Sequence, residues 1–552
     1  MAETRKVVPT GSAYDPPLLI KSILQQSLKY EPGREIFYRD LVRMDYRRLN
    51  GRIAQLAHGL KSIGVKEGDV IGVLEFDSHR YLELYFAIPM IGAVLHTINY
   101  RLSAEQIGYT MNHAEDKVVF CHKTLSPLLA AVKPTLQTVE KYVLMKDDDA
   151  APEGISFIDA EYEALLAGHP EEYDFPDFDE NSMATLFYTT GTTGQPKGVC
   201  FSHRQLVLHT LALSGSLSAI DSPVRIHSTD VYMPLTPMFH VHAWGMPYAA
   251  TMFGMKQVYP GQYEAAMLMK LILGHRVTFS HCVPTILGML VNNPKVKELD
   301  LSFFKVIIGG SALPKGLARA ANDMGIDIIA GYGLSETCPV LTIPYLPAAM
   351  KEKLTAEQQV EERIKTGRPV LMVDLKLMDE AGKFLPFDGK TVGEIVVRAP
   401  WLTQTYYKEQ EQSEELWKYG YMHTGDMAYV EPNGTVVIVD RKKDVIKSGG
   451  EWISLLALES IISAYPGVKE AAIVGIRDEK WGERPLALVV LSEGKDIGVK
   501  DLKNHLQQYV NTGHLSKWAV PEEFRFVQEI PKTSVGKIDK KLIRSKIEKD
   551  EI

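Results

Sequence analysis

The densest group of residues that could do chemistry is the run Tyr188-Thr-Thr-Gly-Thr-Thr-Gly-Gln-Pro-Lys197-Gly198. It follows the apolar segment MATLFY, which is typical of a strand. Glycines allow a tight turn with inward-facing N–H groups, four threonine hydroxyls add donors, and Lys197 adds a positive charge. Such a loop suits a polyphosphate. The Walker A spacing is absent, and the alternative reading is a polar hairpin.

Two glycine-containing motifs follow at Gly331–Thr337 (GYGLSET) and His423–Asp426 (HTGD). The glycines of the first would let a flat ring lie against the backbone, with Tyr332 available for stacking. Glu336 is a hard oxygen ligand suited to Mg²⁺. Asp426, after a glycine turn, could accept two hydrogen bonds from a ribose diol. Taken alone, both motifs are also compatible with ordinary turns.

Two basic segments lie near the C-terminus. The run DRKKDVIKSGGE, which begins at Asp440, is a charged linker between two apparent domains, and Arg441 could reach a sugar or a phosphate. In PKTSVGK, Lys537 follows a flexible Ser-Val-Gly turn and could be delivered to a site elsewhere in the molecule. The alternatives are a solvated charge run and a surface lysine.

Histidines and cysteines give weaker signals. His240 and His242 in PMFHVHAWG could lie on one face of a strand, but a zinc site needs more ligands than the sequence offers. No Gly-x-Ser-x-Gly elbow is present, which disfavours a hydrolase. Four scattered cysteines argue against a disulfide framework, so we expect a reducing, cytoplasmic location.

The composition is that of a globular protein. The chain has 552 residues, 45% hydrophobic and 24% charged, with a net charge of −8. This length suggests about three to five structural units or one large two-lobed enzyme. The charge disfavours a general nucleic-acid binder. We expect neither a secretory signal nor a membrane span.

Apolar periodicity indicates which elements position these motifs. LNGRIAQLAHGLKSIG has helical spacing ending at Gly64, and DVIGVLEFD, VTFSHCVP and FKVIIGGSALP are typical of short strands. This alternation predicts α/β layers with mostly parallel strands. The pattern of residues 373–400 predicts a small antiparallel barrel. The last 110 or so residues, with strands EAAIVGI and PLALVVL and a helix at Asp501–Val510, predict a small α+β domain.

Together, YTTGTTGQPKG, GYGLSET, HTGD, DRKKD and PKTSVGK resemble the motifs of the adenylate-forming superfamily, in the family's order. SGGEWIS and PMFHVHAW are most similar to medium- and long-chain fatty-acyl-CoA synthetases and methylthiopropanoate-CoA ligases. The resemblance implies an α/β N-terminal domain of layered sheets plus a small β-barrel (residues 1–440), a hinge linker (441–447) and a small mobile α+β C-terminal domain (448–552).

The resemblance also implies a two-step reaction that uses ATP, Mg²⁺ and coenzyme A. A carboxylate attacks the α-phosphorus of ATP, giving an acyl-adenylate and pyrophosphate. The thiol of coenzyme A then attacks the acyl-adenylate and displaces AMP, which gives the acyl-CoA. The implied catalytic residues are Lys537, Glu336, His240 and Thr192, with Thr192 and Glu336 on the metal. The implied nucleotide- and coenzyme-binding residues are Thr189, Thr190, Gly191, Thr193, Gly194, Lys197, Gly310, Ser311, Ala312, Gly331, Tyr332, Gly333, Thr337, Asp426, Arg441, Lys443, Lys447, Gly449, Gly450 and Trp452.

Trp244, Gly309 and Gly333 are the implied acid-binding residues. Trp244 matches a position proposed to gate acyl entry in long-chain synthetases, and its alternative is a core tryptophan. His242 departs from the pattern, because long-chain relatives carry Asn there. The resemblance further implies a hinge at Lys443, passage of the pantetheine arm past Gly449 and Gly450, and a homodimer.

The sequence does not identify the carboxylic acid substrate. Short- to medium-chain and long fatty acids, methylthiopropanoate and cyclic or aromatic acids are all compatible, and modest-length acids are preferred. The alternative enzyme would pass its acyl group to a carrier protein. The non-enzyme alternative is a nucleotide-sensing or scaffolding protein that kept the fold.

Overall fold

The computed structural model describes residues 6–148, 150, 155–189, 195–219, 224–293, 296, 299–448, 451–478, 482–512, 515–533 and 537–552, with the backbone alone for 447, 448, 451, 452 and 482. Within these residues no helix has both the length and the apolar character needed to cross a membrane.

The α-helices of the described residues are α1 Lys21–Tyr30, α2 Tyr46–Ser62, α3 His79–Met90, α4 Ala104–Ala114, α5 Ser126–Val132, α6 Tyr162–Leu166, α7 His203–Ala219, α8 Val241–Trp244, α9 Met246–Met252, α10 Ala265–His275, α11 Pro284–Val291, α12 Lys315–Asp323, α13 Ala348–Lys351, α14 Ala356–Ile364, α15 Gln410–Leu416, α16 Leu455–Ser463, α17 Val499–Asn511 and α18 Lys540–Glu548. Short 3₁₀ turns occur at Lys123–Leu125, Lys133–Thr135, Ser335–Thr337 and Lys517–Ala519.

The strands are β1 Glu35–Tyr38, β2 Val42–Asp45, β3 Val70–Leu74, β4 Val94–Thr97, β5 Asp116–His122, β6 Lys141–Met145, β7 Ala160–Glu161, β8 Met183–Thr189, β9 Lys197–Ser202, β10 Val231–Leu235, β11 Lys256–Tyr259, β12 Phe279–Cys282, β13 Lys305–Ile308, β14 Asp327–Ala330, β15 Tyr332–Gly333, β16 Val340–Ile343, β17 Arg368–Pro369, β18 Asp374–Met378, β19 Phe384–Leu385, β20 Gly393–Arg398, β21 Trp417–Lys418, β22 Tyr421–Val430, β23 Val436–Arg441, β24 Ile446–Ser448, β25 Glu451–Ile453, β26 Val468–Asp478, β27 Gly482–Leu491 and β28 Glu523–Phe526.

Two seven-stranded sheets form the N-terminal layers, in the orders β7-β6-β5-β3-β4-β8-β9 and β14-β13-β12-β10-β11-β1-β2. Their strands are parallel except for the antiparallel pairs β8–β9 and β1–β2. The strand Val70–Leu74 is apolar along its whole length and wholly buried, as expected when helices cover both faces of a parallel sheet. The expected α/β layers are therefore confirmed.

An antiparallel sheet follows, with the order β19-β18-β20-β22-β21 and β23 paired to β22. It contains the residues for which the sequence predicts short antiparallel strands. Within the charged segment 351–365, residues Ala356–Ile364 form α14, whose N-terminus has a capping box made by Thr355 and Gln358. Val360 and Arg363 on this helix are buried, so the helix is solvated on one face only.

Residues after 446 form a smaller unit around the sheet β26-β27-β28 and the helices α16, α17 and α18. Among the described residues, its two hydrophobic clusters contain no side chain that precedes Ile446. This unit therefore has a core of its own, as the sequence predicts for a small α+β domain.

Candidate active site

The candidate site lies where four neighbouring parallel strands end. In the second sheet the order β14-β13-β12-β10 brings the carboxyl ends of these strands to one edge. The residues that follow the strands are Gly331, Gly309 and Gly310, Val283, and the segment 236–240. Open parallel sheets bind ligands at this edge. Three glycines therefore stand at the ends of two of these strands.

Lys537 lies at this edge although it belongs to the C-terminal unit. A Cβ built on Gly310 would lie 3.5 Å from Lys537 Cε. The pKa of Lys537 is lowered to about 8 by burial and then by the charge of Arg441, while Asp426 and Glu336 raise it. The structure thus brings Lys537, Glu336, Asp426 and Arg441 into one electrostatic group.

Glu336 is held by a tyrosine outside the recognised motifs. The Tyr406 hydroxyl donates to Glu336 Oε1 at 2.7 Å, and the backbone N–H of Thr403 donates to the Glu336 carbonyl at 3.0 Å. Lys197 Nζ lies 4.9 Å from the centre of the Tyr406 ring, and Lys197 pairs with Thr189 across β8 and β9. Tyr406 therefore links the lysine of the threonine-rich loop to the candidate metal ligand.

A second chain of contacts joins Tyr332 to Arg441. The Tyr332 hydroxyl donates to Asp426 Oδ2 at 2.7 Å, and Arg441 Nε lies 2.9 Å from Asp426 Oδ1. Asp426 and Arg441 face each other across β22 and β23. Asp426 is 4% exposed, so its carboxylate is fixed by neighbours from two different sheets.

Trp244 lies across the glycines of the strand edge. A Cβ on Gly309 would lie 2.8 Å from Trp244 Cη2 and 3.0 Å from the Gly331 carbonyl oxygen, so only glycine fits there. Trp244 is positioned by an unusual turn: residues Val241–Trp244 have φ between 45° and 59°, and Gly245 follows at 72°. Left-handed backbone costs about 1–2 kcal/mol for each non-glycine residue, which the burial of all four side chains offsets.

The structure corrects the expectation that His240 and His242 share one face of a strand. The strand β10 ends at Leu235, and the left-handed turn sends the two rings in different directions. His242 is fully buried among the rings of Tyr85, Phe187, Phe201 and Tyr248. Burial lowers the pKa of His242 to about 3. It is a neutral core residue.

His240 instead lines a cavity of about 50 Å³, together with Arg101, Leu235, Thr236, Pro237, Tyr263, Val283, Thr285 and Ile286. Burial, followed by the charges of Lys537 and Arg101, lowers the pKa of His240 to about 3, so its imidazole is neutral. Beneath this cavity the Tyr263 hydroxyl donates to Asp77, whose pKa burial raises to about 7.

The remaining predicted residues fall into three groups. Ser311 and Ala312 are exposed in the turn after β13, and Lys443 lies in the turn between β23 and β24. Thr337 is fully buried. Its hydroxyl accepts from the Leu334 N–H at 2.9 Å and lies within hydrogen-bond distance of the Leu334 and Pro339 carbonyls, so it stabilises the turn of this motif. A Cβ on Gly333 would collide with the Pro339 carbonyl.

The third group lies outside what the structure describes. Thr190, Gly191, Thr192, Thr193 and Gly194 are outside the described residues, as are Gly449 and Gly450. For Lys447 and Trp452 the described backbone shows that they pair with each other across β24 and β25.

Two sets of residues near the site carried no motif signal. Tyr406 and Thr403 lie in WLTQTYY, which reads as an irregular segment. Arg101 and Tyr263 reach the cavity from distant parts of the chain. An aromatic residue or an arginine alone gives no sequence signal for such a role.

Comparison with known proteins identifies the class. The pattern of the AMP-binding enzyme family matches residues 24–407, and that of the AMP-binding enzyme C-terminal domain matches residues 457–537. The first match spans well over half of the chain, and the chain belongs to the AMP-binding enzyme family.

Among similar curated proteins, a long-chain-fatty-acid–CoA ligase of Thermus thermophilus is 42% identical over 505 residues, which cover 91% of this chain and 90% of the relative. A 3-methylmercaptopropionyl-CoA ligase of Ruegeria lacuscaerulensis is 37% identical over 97% of this chain and 98% of its own. The crystal structure of an anthranilate CoA ligase in complex with anthranoyl-AMP has the same fold, with a TM-score of 0.84, 22% identity and coverage of 96% and 98% of the two chains.

Proposed function

We propose that this protein activates a short- to medium-chain or fatty carboxylic acid as its adenylate and transfers the acyl group to coenzyme A. The protein is an AMP-forming acyl-CoA synthetase, an acid–thiol ligase that uses ATP, Mg²⁺ and coenzyme A. The observation that carries the residue assignments is the position of Lys537 over Gly310, beside Asp426, Arg441 and Glu336.

The first step needs positive charge where two anions meet. A carboxylate and a triphosphate repel each other, and a cation fixed between them stabilises the charge that develops in the transition state. Lys537 supplies this cation to the attacking carboxylate and the α-phosphate. Asp426 accepts hydrogen bonds from the ribose diol, Arg441 contacts the sugar or phosphates, and Tyr332 together with the turn at Gly309–Ala312 flanks adenine.

The residues at hand also fit Mg²⁺. Carboxylate oxygen is the ligand type that Mg²⁺ prefers, and Tyr406 fixes the orientation of Glu336 through one carboxylate oxygen. Glu336 would hold the ion with Thr192, and the ion supplies positive charge to the phosphates. Lys197 and the threonine-rich loop would bind the β- and γ-phosphates.

The second step requires Lys537 to leave. The linker 441–447 is the proposed hinge, with rotation at Lys443, between the domains 1–440 and 448–552. Rotation would remove Lys537 and bring Lys447, Gly449, Gly450 and Trp452 to the site, where the pantetheine arm passes close to backbone. Such a movement gates the two half-reactions.

Trp244 and His240 bound the site on the acid side. The indole lies on Gly309, where it would limit the length of the acyl chain that enters. The charge of Lys537 acts on the neutral imidazole of His240, which would contact the carboxylate. The methylthiopropanoate-type acid is a second candidate substrate, supported by the Ruegeria relative.

A panel of carboxylic acids tests the proposal. Pyrophosphate release is measured with each acid, with and without coenzyme A, and thioester formation is followed in parallel. We expect acid-dependent pyrophosphate release and formation of the acyl-CoA. Thioester formation with an acyl carrier protein but none with coenzyme A would refute the choice of acceptor, and ATP binding without pyrophosphate release for every acid would refute the enzyme.

Location and assembly complete the proposal. The four cysteines are unpaired, which supports a cytoplasmic location. The family resemblance supports a homodimer formed through the N-terminal domain, and light scattering on the purified protein tests it.

A further inference from the structure

Lys540 joins two buried carboxylates. Its Nζ lies 3.0 Å from Asp440 Oδ2 and 3.0 Å from Glu459 Oε1. The Asp440 and Glu459 side chains are buried, and Lys540 is only 10% exposed. Burying two like charges is unfavourable unless a cation lies between them, so this lysine determines whether the two acids can stay where they are.

The two carboxylates belong to different units of the chain. Asp440 lies on β23, in the antiparallel sheet that precedes the proposed hinge. Glu459 lies on α16, after the hinge, and accepts a hydrogen bond from the Ile473 N–H at 2.9 Å. The contact between Lys540 and Glu459 is therefore internal to the C-terminal unit, whereas the contact between Lys540 and Asp440 crosses the boundary.

Lys540 is also connected to Lys537. It is the first residue of α18, and Lys537 lies three residues earlier in a segment held by its own hydrogen bonds. The Thr533 N–H donates to the Lys537 carbonyl at 2.7 Å, and the Asp539 N–H donates to the Pro531 carbonyl at 2.9 Å. A fixed position of Lys540 therefore fixes the segment that carries Lys537.

A second ion pair follows the same pattern one helical turn later. Arg544 on α18 pairs with Asp444 in the linker. The acids at 440 and 444 and the bases at 540 and 544 have the same spacing of four residues. Asp444 lies inside the proposed hinge, so its pair with Arg544 constrains the domain orientation less directly than the pair of Lys540 with Asp440 on β23.

We propose that Lys540 is a positioning residue that holds the C-terminal domain in its adenylate-forming orientation. This inference rests on the proposed two-step function and hinge. Rotation about residues 441–447 separates Lys540 from Asp440 but leaves its contact with Glu459 intact. The bridge therefore favours the first half-reaction and is released for the second.

Removal of the bridge should affect the two half-reactions unequally. Lys540→Met leaves Asp440 without its cation, so the adenylate-forming orientation is disfavoured while Lys537 remains present. We expect the rate of acid-dependent pyrophosphate release to fall by about tenfold or more. Conversion of a supplied acyl-adenylate and coenzyme A to thioester should stay within about twofold. Lys540→Arg, which keeps the charge, should restore most of the first rate.

Matched variants separate positioning from stability. Asp440→Asn should also slow pyrophosphate release while sparing thioester formation, because it removes only the ion pair between the two units. This variant provides the test if Lys540→Met does not fold. The Lys540→Met/Asp440→Asn double variant should be little slower in the first step than either single variant. Glu459→Gln should lower the melting temperature without this imbalance. Lys549→Met, at an exposed position just after α18, should match the wild type.

Three results would overturn the inference. Equal slowing of both half-reactions in a folded Lys540→Met or Asp440→Asn protein would indicate a purely structural role. Wild-type rates of pyrophosphate release in these variants would show that the bridge does not position Lys537. If none of the acids caused the wild-type protein to release pyrophosphate, the proposed function would be refuted, and the inference with it. If the wild-type protein were active in both half-reactions, either of the first two results would refute the inference alone.

Discussion

The charge of Lys537 should make adenylate formation sensitive to alkaline pH. In the free protein its pKa is lowered to about 8, so the ammonium group loses its proton as the pH rises through 8. At pH 9 about a tenth of the molecules keep the charge, and kcat/KM for the first half-reaction should fall about tenfold for each further pH unit. Most lysines titrate near 10.4, so a fall that begins near pH 8 would be distinctive.

A variant with a permanent cation isolates the cause. Arginine stays charged throughout this range, so Lys537→Arg should lose the alkaline fall even if its rate is lower overall. Lys537→Met should lose about 10²–10³-fold in adenylate formation at every pH, the usual cost of removing one charge-stabilising donor. Conversion of supplied acyl-adenylate to thioester should be largely spared in both variants.

The assay is pyrophosphate release, measured with ATP well below its KM, between about pH 6.5 and 10. This range of roughly three pH units around the pKa includes both the flat and the falling part of the pH–rate profile. Bound ATP adds negative charge and raises the pKa of Lys537, so the fall in kcat should begin at higher pH than the fall in kcat/KM. An alkaline fall that persists in Lys537→Arg, or that appears equally in the thioester step, would refute the assignment of this titration to Lys537.

Three further changes give distinct outcomes. Trp244→Ala removes the indole that lies on Gly309, and the ratio of kcat/KM for decanoate over butyrate should rise about tenfold or more; an unchanged ratio across acids from acetate to dodecanoate would contradict a gating role. Tyr332→Phe deletes the hydrogen bond to Asp426 and should raise KM for ATP about tenfold with kcat little changed, while an unaltered KM would show that Asp426 needs no such support. Lys443→Pro should slow thioester formation by about tenfold or more and spare pyrophosphate release, because proline fixes φ in the proposed hinge; equal rates in both half-reactions would place the hinge elsewhere.

The sequence predicts the layers and the strand-end glycines because both depend on local patterns. Strand Val70–Leu74 and helix Tyr46–Ser62 follow directly from apolar periodicity. Gly309 and Gly331 come immediately after apolar runs, so their place at the ends of parallel strands can be read from the sequence.

The sequence does not predict how distant segments meet. Tyr406 contacts Glu336 because two irregular segments lie against each other. The hydrophobic periodicity of the sequence gives no signal for such a contact. The left-handed turn at Val241–Trp244 contradicts the preference of each of its residues and forms only because the surrounding core accepts the side chains. The strand expected for His240 and His242 is wrong for this reason: tertiary packing outweighs local preference.

The separate core of residues 446–552 affects the rate at which the proposed domain rotation can recur during turnover. Two units that shared one hydrophobic core would expose apolar side chains to water each time they separated, so their separation would be slow. Here ionic contacts, Lys540 with Asp440 and Arg544 with Asp444, cross between β23 or the linker and α18. Charged groups regain hydration when they separate, which offsets part of the cost of breaking these contacts. We therefore expect the proposed rotation to break ionic contacts while the core of the C-terminal unit stays intact.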